Sequence, residues 1–173
     1  MINPICDDVI LVTGGGGFIG GHLVADLIAS GCPRIRAVDI KPFAEWHQSF
    51  PEAENIQLDL REKEVCFDAV RGARYVFNLA ADMGGIGFIE THKTTCMLSV
   101  LINTNLLVAA RQYAVELYFF SSSACIYPAG RQTESNVTPL KESDAYPAMP
   151  EDGYGWEKLF SERMCRHFRD EHG

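Results

Sequence analysis

Three side chains in the last third of the chain have types and spacing suited to acid/base chemistry. Tyr154 and Lys158 stand four apart in the stretch YGWEK, so on a helix both would project from one face. An ammonium beside a phenol stabilises the phenolate and lowers a pKa that is otherwise ~10. Such a tyrosine could act as a base near neutral pH, and Ser123 could hydrogen-bond the same substrate oxygen. Taken alone, the tyrosine–lysine spacing also arises by chance on helix surfaces.

A glycine-rich stretch near the start of the chain, VILVTGGGGFIG from Val9 to Gly20, has the composition of a phosphate-binding turn. An apolar run precedes the glycines and helical spacing follows them, so the expected order is strand, turn, helix. Gly14 would allow a turn with positive φ, Gly17 would let backbone approach a pyrophosphate, and Gly20 would let the helix lie close on the strand. The helix N-terminus would offer N–H groups to the phosphates. A Gly-rich surface loop is the alternative, which the flanking residues disfavour.

A carboxylate follows at the spacing of a ribose ligand. The segment Arg34 to Ile40 is predicted to be a second strand and contains Asp39, about 20 residues past the glycine turn, where dinucleotide folds place such an acid. A carboxylate there repels a 2′-phosphate, which favours NAD over NADP, although Lys41 weakens that preference. A solvated acid at the end of a strand is the alternative interpretation.

The elements that position these residues alternate along the chain. The pattern predicts strands at Val9–Val12, Arg34–Ile40, Asn55–Leu58, Tyr75–Leu79 and Glu116–Ser122. It predicts helices from Phe18 to Ser30 with Gly31 as the C′ residue, at Glu62–Val70, at Ile89–Ala114, and at Asp152–His172 with Asp152 as N-cap. The segment 43–50 is expected to be a short helix or irregular, and 129–150 a long surface loop. Alternation of this kind predicts an α/β fold, a Rossmann-type doubly wound parallel sheet with strand order 3-2-1-4-5.

Composition narrows the classes of partner. The 173 residues suit one domain, and a net charge of −8 argues against nucleic acid. No apolar run approaches the ~20 residues of a membrane span, and residues 1–8 show no signal peptide. The six scattered cysteines and five histidines lack metal-ligand spacing, so we expect no metal, reduced thiols and a cytoplasmic protein.

The motifs together resemble a known family. TGGGGFIG, Asp39, Asp59-Leu60, NLAA, SSSAC and YGWEK resemble the extended short-chain dehydrogenase/reductase family of NAD-dependent sugar-nucleotide epimerases and dehydratases, in order and over nearly the whole chain. AADMGGIGFI, SSACIYP and LKESDAYPAMPEDGYGWEK are similar to the branch of that family that epimerises GDP-mannose at C3 and C5. That branch combines the methionine–glycine loop with the cysteine.

The resemblance implies NAD as cofactor and assigns its ligands. The glycine turn would hold the pyrophosphate, Asp39 the ribose, Asp59 and Leu60 the adenine, and Lys158 the nicotinamide ribose. Small residues after the fourth strand would let backbone run along the dinucleotide, or would simply pack tightly. The implied cofactor-binding residues are Gly14, Gly17, Phe18, Ile19, Gly20, Asp39, Asp59, Leu60, Ala80, Tyr154 and Lys158.

The resemblance also implies a nucleotide-sugar substrate, of the GDP-hexose class, and a role for each catalytic residue. Tyr154 would deprotonate the sugar O4 while hydride leaves C4, Ser123 would orient the sugar, and Gly84 would contact it. The ketone at C4 acidifies C3–H and C5–H, and Cys125 would be one of two groups that exchange those protons. A thiol with an unperturbed pKa of ~8.5 suits transfer in either direction. The alternative for Cys125 is a small buried hydrophobe.

Members of the family continue well beyond the helix that follows the tyrosine–lysine pair. We therefore expect residues 1–173 to be an NAD-binding Rossmann domain, with the last sheet strand and the C-terminal substrate domain absent. The sheet edge would invite pairing in a homo-oligomer. We expect this polypeptide to bind NAD but not to turn over a nucleotide sugar unaided. A 4-epimerase or reductase of the same family, and an inert dinucleotide-binding module, are the alternatives.

Overall fold

A computed structural model describes residues 8–132 and 139–173 of the chain. The chain divides into two compact units. The first consists of the chain up to Ala81 together with Leu101–Ser121, and the second of Asp82–Val100 and Ser122–Gly173.

The first unit contains one parallel sheet of five strands. The strands are β1 (Val9–Thr13), β2 (Ile35–Asp39), β3 (Glu54–Gln57), β4 (Ala73–Asn78) and β5 (Leu117–Phe120). Their order across the sheet is 3-2-1-4-5, and every neighbouring pair is parallel. This confirms the predicted doubly wound topology, in which the first strand lies at the centre, buried along its whole length.

Helices cover the two faces of this sheet. They are α1 (Phe18–Ala29), α2 (Lys63–Val70) and the second part of α4 (Lys93–Gln112). Side chains of α1 pack with Ile10 and Val12 on one face, and side chains of α2 and α4 pack with Val9 and Leu11 on the other. Because successive residues of a strand point to opposite faces, β1 contributes to both cores.

The second unit contains α3 (Ile86–Thr91), the first part of α4, and α5 (Tyr154–His172). The predicted single helix Ile89–Ala114 is wrong, because the chain breaks at His92, whose φ of −121° and ψ of 41° are not helical. The predicted N-cap Asp152 is also wrong. Gly153, with a φ of 116°, holds that position, and Asp152 instead accepts a hydrogen bond from Lys93 Nζ at 2.8 Å.

The polar stretch 129–150, predicted as one long loop, contains two short 3-10 helices among its described residues, at Ala129–Arg131 and Glu142–Ala145. A further 3-10 helix, Ala124–Ile126, lies just before this stretch. Residues 133–138 of the predicted loop lie outside the described residues. Cys6 also lies outside the described residues. The other five cysteines are free thiols. In the described ranges, no group of three or more metal-ligating side chains could hold an ion.

Helix α4 differs from the sequence expectation in one respect. Of the described helices, it alone is long and apolar enough to cross a membrane by length and composition. A core helix passes the same test, and 44% of its apolar window is buried. Its side chains Ile102, Leu106 and Ala109 belong to the core of the first unit, so we describe α4 as a core helix.

The thiol of Cys66 makes the stability of the first unit sensitive to alkali. It is fully buried on α2 and donates to the carbonyl oxygen of Leu60 at 2.9 Å. Burial raises its pKa from 9.0 to about 12. The folded chain thus holds this proton more tightly than the unfolded chain, and the stabilisation is lost as pH rises from the unfolded value through the folded one.

We expect the free energy of unfolding to fall between roughly pH 9 and 12, with up to ~1.4 kcal/mol per pH unit from this group. Urea unfolding at several pH values measures the slope. Cys66→Ala should give a shallower slope than wild type, although the variant starts less stable because of its cavity. Parallel slopes for the two proteins would contradict this assignment.

Candidate active site

The glycine turn after β1 has the backbone geometry that the sequence predicts. Gly14 adopts a φ of +69°, and a Cβ there would lie 3.0 Å from the backbone of Leu79. Gly17 N donates to Gly14 O at 3.0 Å, which closes the turn. The N-cap of α1 is Gly17. Because glycine has no side chain to cap the first turn, the N–H groups there stay available to an anion.

Gly20 is required for a reason that differs in detail from the expected one. Its Cβ would overlap Gly14 O and would lie 2.9 Å from Gly15 Cα. The close approach is therefore between α1 and the glycine turn itself, rather than between α1 and the strand. Phe18 and Ile19 begin the helix with side chains that are each 65% exposed.

An indole supports the turn from outside, which the sequence does not reveal. The ring of Trp46 lies where a Cβ on Gly16 would come within 2.6 Å of it. Its Nε1 donates to Lys41 O at 2.9 Å, and His47 N donates to Gly16 O at 2.8 Å. The segment after β2 thus fixes the middle of the turn.

Asp39 ends β2 with a buried carboxylate that is 8% exposed. Oδ2 accepts from Gly16 N and Oδ1 accepts from Lys41 N, both at 3.1 Å. The side chain is therefore held facing the glycine turn instead of being a solvated strand-end acid. Each carboxylate oxygen has further acceptor capacity, as a ligand for ribose hydroxyls needs.

The two residues predicted to bind adenine have different surroundings. The guanidinium of Arg61 binds both carboxylate oxygens of Asp59, with Nε 2.9 Å from Oδ1 and Nη2 2.6 Å from Oδ2. This pairing lowers the pKa of Asp59. The side chain of Leu60 is 4% exposed and lies in the hydrophobic core. A contact of Leu60 with a ligand would therefore have to come from its backbone.

A buried polar network supports the backbone after β4. Thr13 Oγ1 donates to Asn78 Oδ1 at 2.9 Å, and Asn78 Nδ2 donates to Asn103 Oδ1 at 3.1 Å. Tyr118 donates to the same Asn103 oxygen at 2.9 Å. Ala80 N lies 3.3 Å from Asn78 Oδ1 and 3.4 Å from Thr13 Oγ1. The sequence does carry a signal for this network that was missed: the apolar strands β1 and β4 each end in a polar residue, Thr13 and Asn78.

These residues fit a dinucleotide. The turn is packed so closely that a Cβ on Gly14 or Gly20 would collide with backbone atoms. A helix N-terminus without a capping side chain follows the turn, and a buried carboxylate at the end of the next strand faces it. Phosphates need N–H donors and no side chain in the way, and ribose hydroxyls need an acceptor. The first unit supplies both, from residues that are adjacent in the fold.

The second unit brings together the side chains predicted to be catalytic. Tyr154 starts α5 and is 5% exposed, and Lys158 is 3% exposed one turn later. Lys158 Nζ lies 5.5 Å from the centroid of the Tyr154 ring. The Ser123 side chain lies near enough to Tyr154 to lower the pKa of its phenol, and Ser123 Oγ accepts a hydrogen bond from Cys125 N at 3.1 Å.

The pKa values differ from the sequence expectation. Burial raises the pKa of Tyr154 to about 12. The Ser123 side chain opposes this rise, and the charge of Glu157 adds to it. Burial likewise lowers the pKa of Lys158, and Glu157 opposes that change. Lysine proximity alone therefore does not lower the pKa of Tyr154, because desolvation is the larger effect on both groups.

Cys125 is held against the start of α5 by its own backbone. Its carbonyl oxygen accepts from Glu151 N at 3.0 Å and would overlap a Cβ on Gly155. Glu151 Oε2 in turn accepts from Gly155 N at 3.0 Å. The glycine after the tyrosine is thus a packing requirement that the sequence analysis missed. The thiol of Cys125 is partly exposed and packs against the cluster of Ile89, Cys96 and Tyr154.

Gly84 lies beside this cluster. A Cβ on Gly84 would come within 2.8 Å of Phe88 Cβ, and Phe88 packs against the same cluster as Cys125. The methionine–glycine loop is therefore seated next to the cluster that contains Tyr154, through Phe88. Cys96 is a second thiol of the cluster, fully buried, with a pKa that burial raises.

The fold and the two groups of residues define a dinucleotide-binding α/β protein with a buried tyrosine–lysine pair. The profile of the NAD dependent epimerase/dehydratase family matches residues 10–173, and the chain belongs to this family. NAD, the cofactor predicted from the sequence, is the cofactor of the family.

Curated relatives and solved structures agree with this assignment. The chain is 44% identical over 165 residues to GDP-mannose 3,5-epimerase 1 of Oryza sativa subsp. japonica, covering 95% of this chain and 43% of the relative. It is 41% identical over 165 residues to GDP-mannose 3,5-epimerase of Arabidopsis thaliana, and the match covers 95% of this chain and 44% of that relative. The chain therefore spans less than half the length of these curated relatives.

Two solved structures share the fold closely. UDP-glucose 4-epimerase of Thermotoga maritima, solved with UDP-glucose, superposes with a TM-score of 0.79 at 25% identity. The UDP-glucose 4-epimerase of Thermus thermophilus, a complex with NAD, gives a TM-score of 0.79 at 28% identity. In each case 95% of this chain and 52% of the other are covered.

Proposed function

We propose that this chain supplies the NAD-binding and catalytic residues of an enzyme that epimerises a nucleotide sugar, of the GDP-hexose class, at C3 and C5. The observation that carries the proposal is the clustering of Ser123, Cys125 and Tyr154 in one unit, with Lys158 beside the tyrosine ring. The 44% identity to a GDP-mannose 3,5-epimerase supports the choice of sugar and of reaction.

The first unit would hold the cofactor. Gly14, Gly17 and Gly20 form the turn for the pyrophosphate, and Asp39 would accept hydrogen bonds from the ribose hydroxyls. When bound, NAD would take up a hydride from C4 of the sugar, leaving a ketone that acidifies C3–H and C5–H, and would return the hydride at the end.

The second unit would move the protons. Tyr154 Oη would accept the proton of the sugar O4 and give it back after epimerisation. With a pKa raised to about 12, the phenol is neutral near pH 7, so the phenolate must be stabilised as it forms. Ser123, whose hydroxyl lowers the pKa of Tyr154, and the Lys158 ammonium, through its charge, are the groups placed to do so.

Cys125 would exchange the proton at C3 or C5. Its thiol is partly exposed in the cluster that contains Tyr154, so it is accessible to a sugar bound at the tyrosine. A 4-epimerase needs no such group, because it moves only the hydride and the O4 proton. Cys125 is therefore the residue that separates the proposed reaction from 4-epimerisation, the activity named for the solved relatives.

Exchange with solvent tests the reaction directly. A chimera in which this chain replaces the matching 43% of the rice enzyme should incorporate deuterium from heavy water at C3 and C5 of GDP-mannose. Cys125→Ala should lower incorporation by about 10²-fold or more, the usual contribution of a general acid or base. Mass spectrometry and NMR of the recovered sugar measure the label.

Cys32→Ala is the matched control, since Cys32 is a partly exposed thiol of the first unit, and it should leave incorporation unchanged. Turnover at C4 without label at C3 and C5 would overturn the proposal in favour of a 4-epimerase. NAD binding by the chimera without any product would favour an inert dinucleotide-binding module.

A further inference from the structure

A buried carboxylate adjoins the tyrosine–lysine pair and has no part in the proton transfers above. Glu157 immediately precedes Lys158 on α5, and each residue is 3% exposed. Consecutive helix positions point about 100° apart, so two neighbouring charged side chains do not ordinarily share one buried site. Here, however, Glu157 Oε2 lies 3.8 Å from Lys158 Nζ, which brings the two charges together away from water.

Ser161 fixes the carboxylate one turn further along the helix. It is fully buried, and its Oγ donates to Glu157 Oε1 at 2.8 Å. The other oxygen, Oε2, is buried and has no hydrogen-bond partner among the described residues. One oxygen is thus anchored, and the other is left to interact with the ammonium.

We propose that Glu157 is the counter-ion of Lys158 and a positioning residue of the catalytic pair, keeping the buried lysine protonated beside the ring of Tyr154. The catalytic meaning of this inference rests on the proposed function, whereas the ion pair itself does not. Lys158 Nζ is 5.5 Å from the ring centroid, so the ammonium that Glu157 maintains there lies beside the phenol, although the charge of Glu157 itself raises the pKa of Tyr154.

Burial explains why a counter-ion is needed. A buried lysine without a partner gives up its proton, because the neutral amine costs less to desolvate than the ammonium. Burial lowers the pKa of Lys158, and the charge of Glu157 opposes that change. Burial raises the pKa of Glu157, and Lys158 and Ser161 oppose it. Each charged group therefore maintains the ionised state of the other.

The thiol of Cys96 and the phenol of Tyr154 do not replace this carboxylate. Other titratable side chains also act on these groups. Cys165 acts on Lys158, Cys125 and Cys96 act on Tyr154, and Glu151 and Asp82 act on Cys96. Burial raises the pKa of both Cys96 and Tyr154, so neither is negative near neutral pH. Glu151 acts on Cys96 and binds Gly155 N, whereas Glu157 is the carboxylate that lies against Lys158.

Titration of the lysines by NMR tests the proposal without cofactor or substrate. The chain has five lysines, Lys41, Lys63, Lys93, Lys141 and Lys158, of which only Lys158 is buried. With ¹³Cε-labelled lysine, Lys158 should titrate below the four exposed residues, and Lys158→Arg assigns its signal. Glu157→Gln should lower its titration midpoint by about one pH unit or more, a tenfold loss of proton affinity.

Two further variants separate charge from packing. Glu157→Asp keeps the charge at a greater distance and should give an intermediate midpoint. Ser161→Ala removes the anchor but keeps the charge, and should leave the midpoint close to that of wild type. An unchanged midpoint in Glu157→Gln, or an equal fall in Ser161→Ala, would overturn the proposal.

A reciprocal measurement covers the case in which Glu157→Gln fails to fold. In Lys158→Met, ¹³Cδ-labelled glutamate should show Glu157 titrating at higher pH than in wild type, and an unchanged midpoint would overturn the ion pair. Because neither titration depends on turnover, a failure of the epimerase assay leaves this result unaffected. Conversely, an active chimera with uncoupled titrations would refute only the counter-ion role.

Discussion

Tyr154→Phe should lower kcat of the chimera about 10³-fold while leaving NAD affinity of the 173-residue chain close to wild type. The substitution removes only the phenolic oxygen, and the ring stays in the cluster with Ile89 and Cys96, so folding is preserved. A loss of this size corresponds to about 4 kcal/mol of transition-state stabilisation. Initial rates with GDP-mannose and calorimetric titration of NAD measure the two quantities.

The pH dependence of the same pair of proteins identifies the group. Since burial raises the pKa of Tyr154 to about 12, the phenolate fraction grows with pH throughout the neutral range. In wild type kcat/KM should therefore rise between roughly pH 6 and 9, and the residual rate of Tyr154→Phe should lack that dependence. Equal pH profiles, or a kcat reduced less than about tenfold, would show that another residue is the base.

The parallel sheet could be predicted from sequence because its signals are local. Buried strands such as β1 are continuous apolar runs, and the turn after it is spelled by glycines whose role depends on backbone geometry alone. Gly14 and Gly31 have the positive φ values expected of them. Strand bounds differ from the predicted ones by one or two residues, as at β2 and β4, because strand ends depend on pairing with neighbours.

Elements whose bounds are set by distant contacts were predicted wrongly. Asp152 has the chemistry of an N-cap, but Lys93, 59 residues away, takes its carboxylate, and Gly153 begins the helix instead. The break at His92 lies inside a stretch whose amphipathic pattern continues without interruption. Neither Trp46 behind the glycine turn nor Gly155 against Cys125 carries a local signal of its contact.

The electrostatics of the candidate site depend on burial, which spacing does not reveal. The four-residue separation of Tyr154 and Lys158 correctly predicts that they meet, but it predicts the wrong direction for the pKa of the tyrosine. Both side chains are at most 5% exposed, and desolvation outweighs their mutual effect. Glu157 was overlooked for the same reason, since a glutamate on a helix ordinarily faces water.

Gly20→Ala should destabilise the chain by about 3 kcal/mol and weaken NAD binding by about 10²-fold or more. The added Cβ would overlap Gly14 O and would lie 2.8 Å from Gly14 C. Both are backbone atoms, so no side-chain rotation relieves the contact, and either α1 or the glycine turn must move. Movement of the turn displaces the N–H groups that are proposed to receive the pyrophosphate.

Gly87→Ala is the matched control, because Gly87 is also a helical glycine and a Cβ there would meet nothing within 4 Å. It should leave NAD binding unchanged and raise stability by up to ~1 kcal/mol through the better helix propensity of alanine. Urea unfolding and calorimetry compare the variants. Unchanged stability in Gly20→Ala would contradict the close packing of α1 against the glycine turn. Unchanged NAD affinity would contradict the assignment of this turn to the dinucleotide.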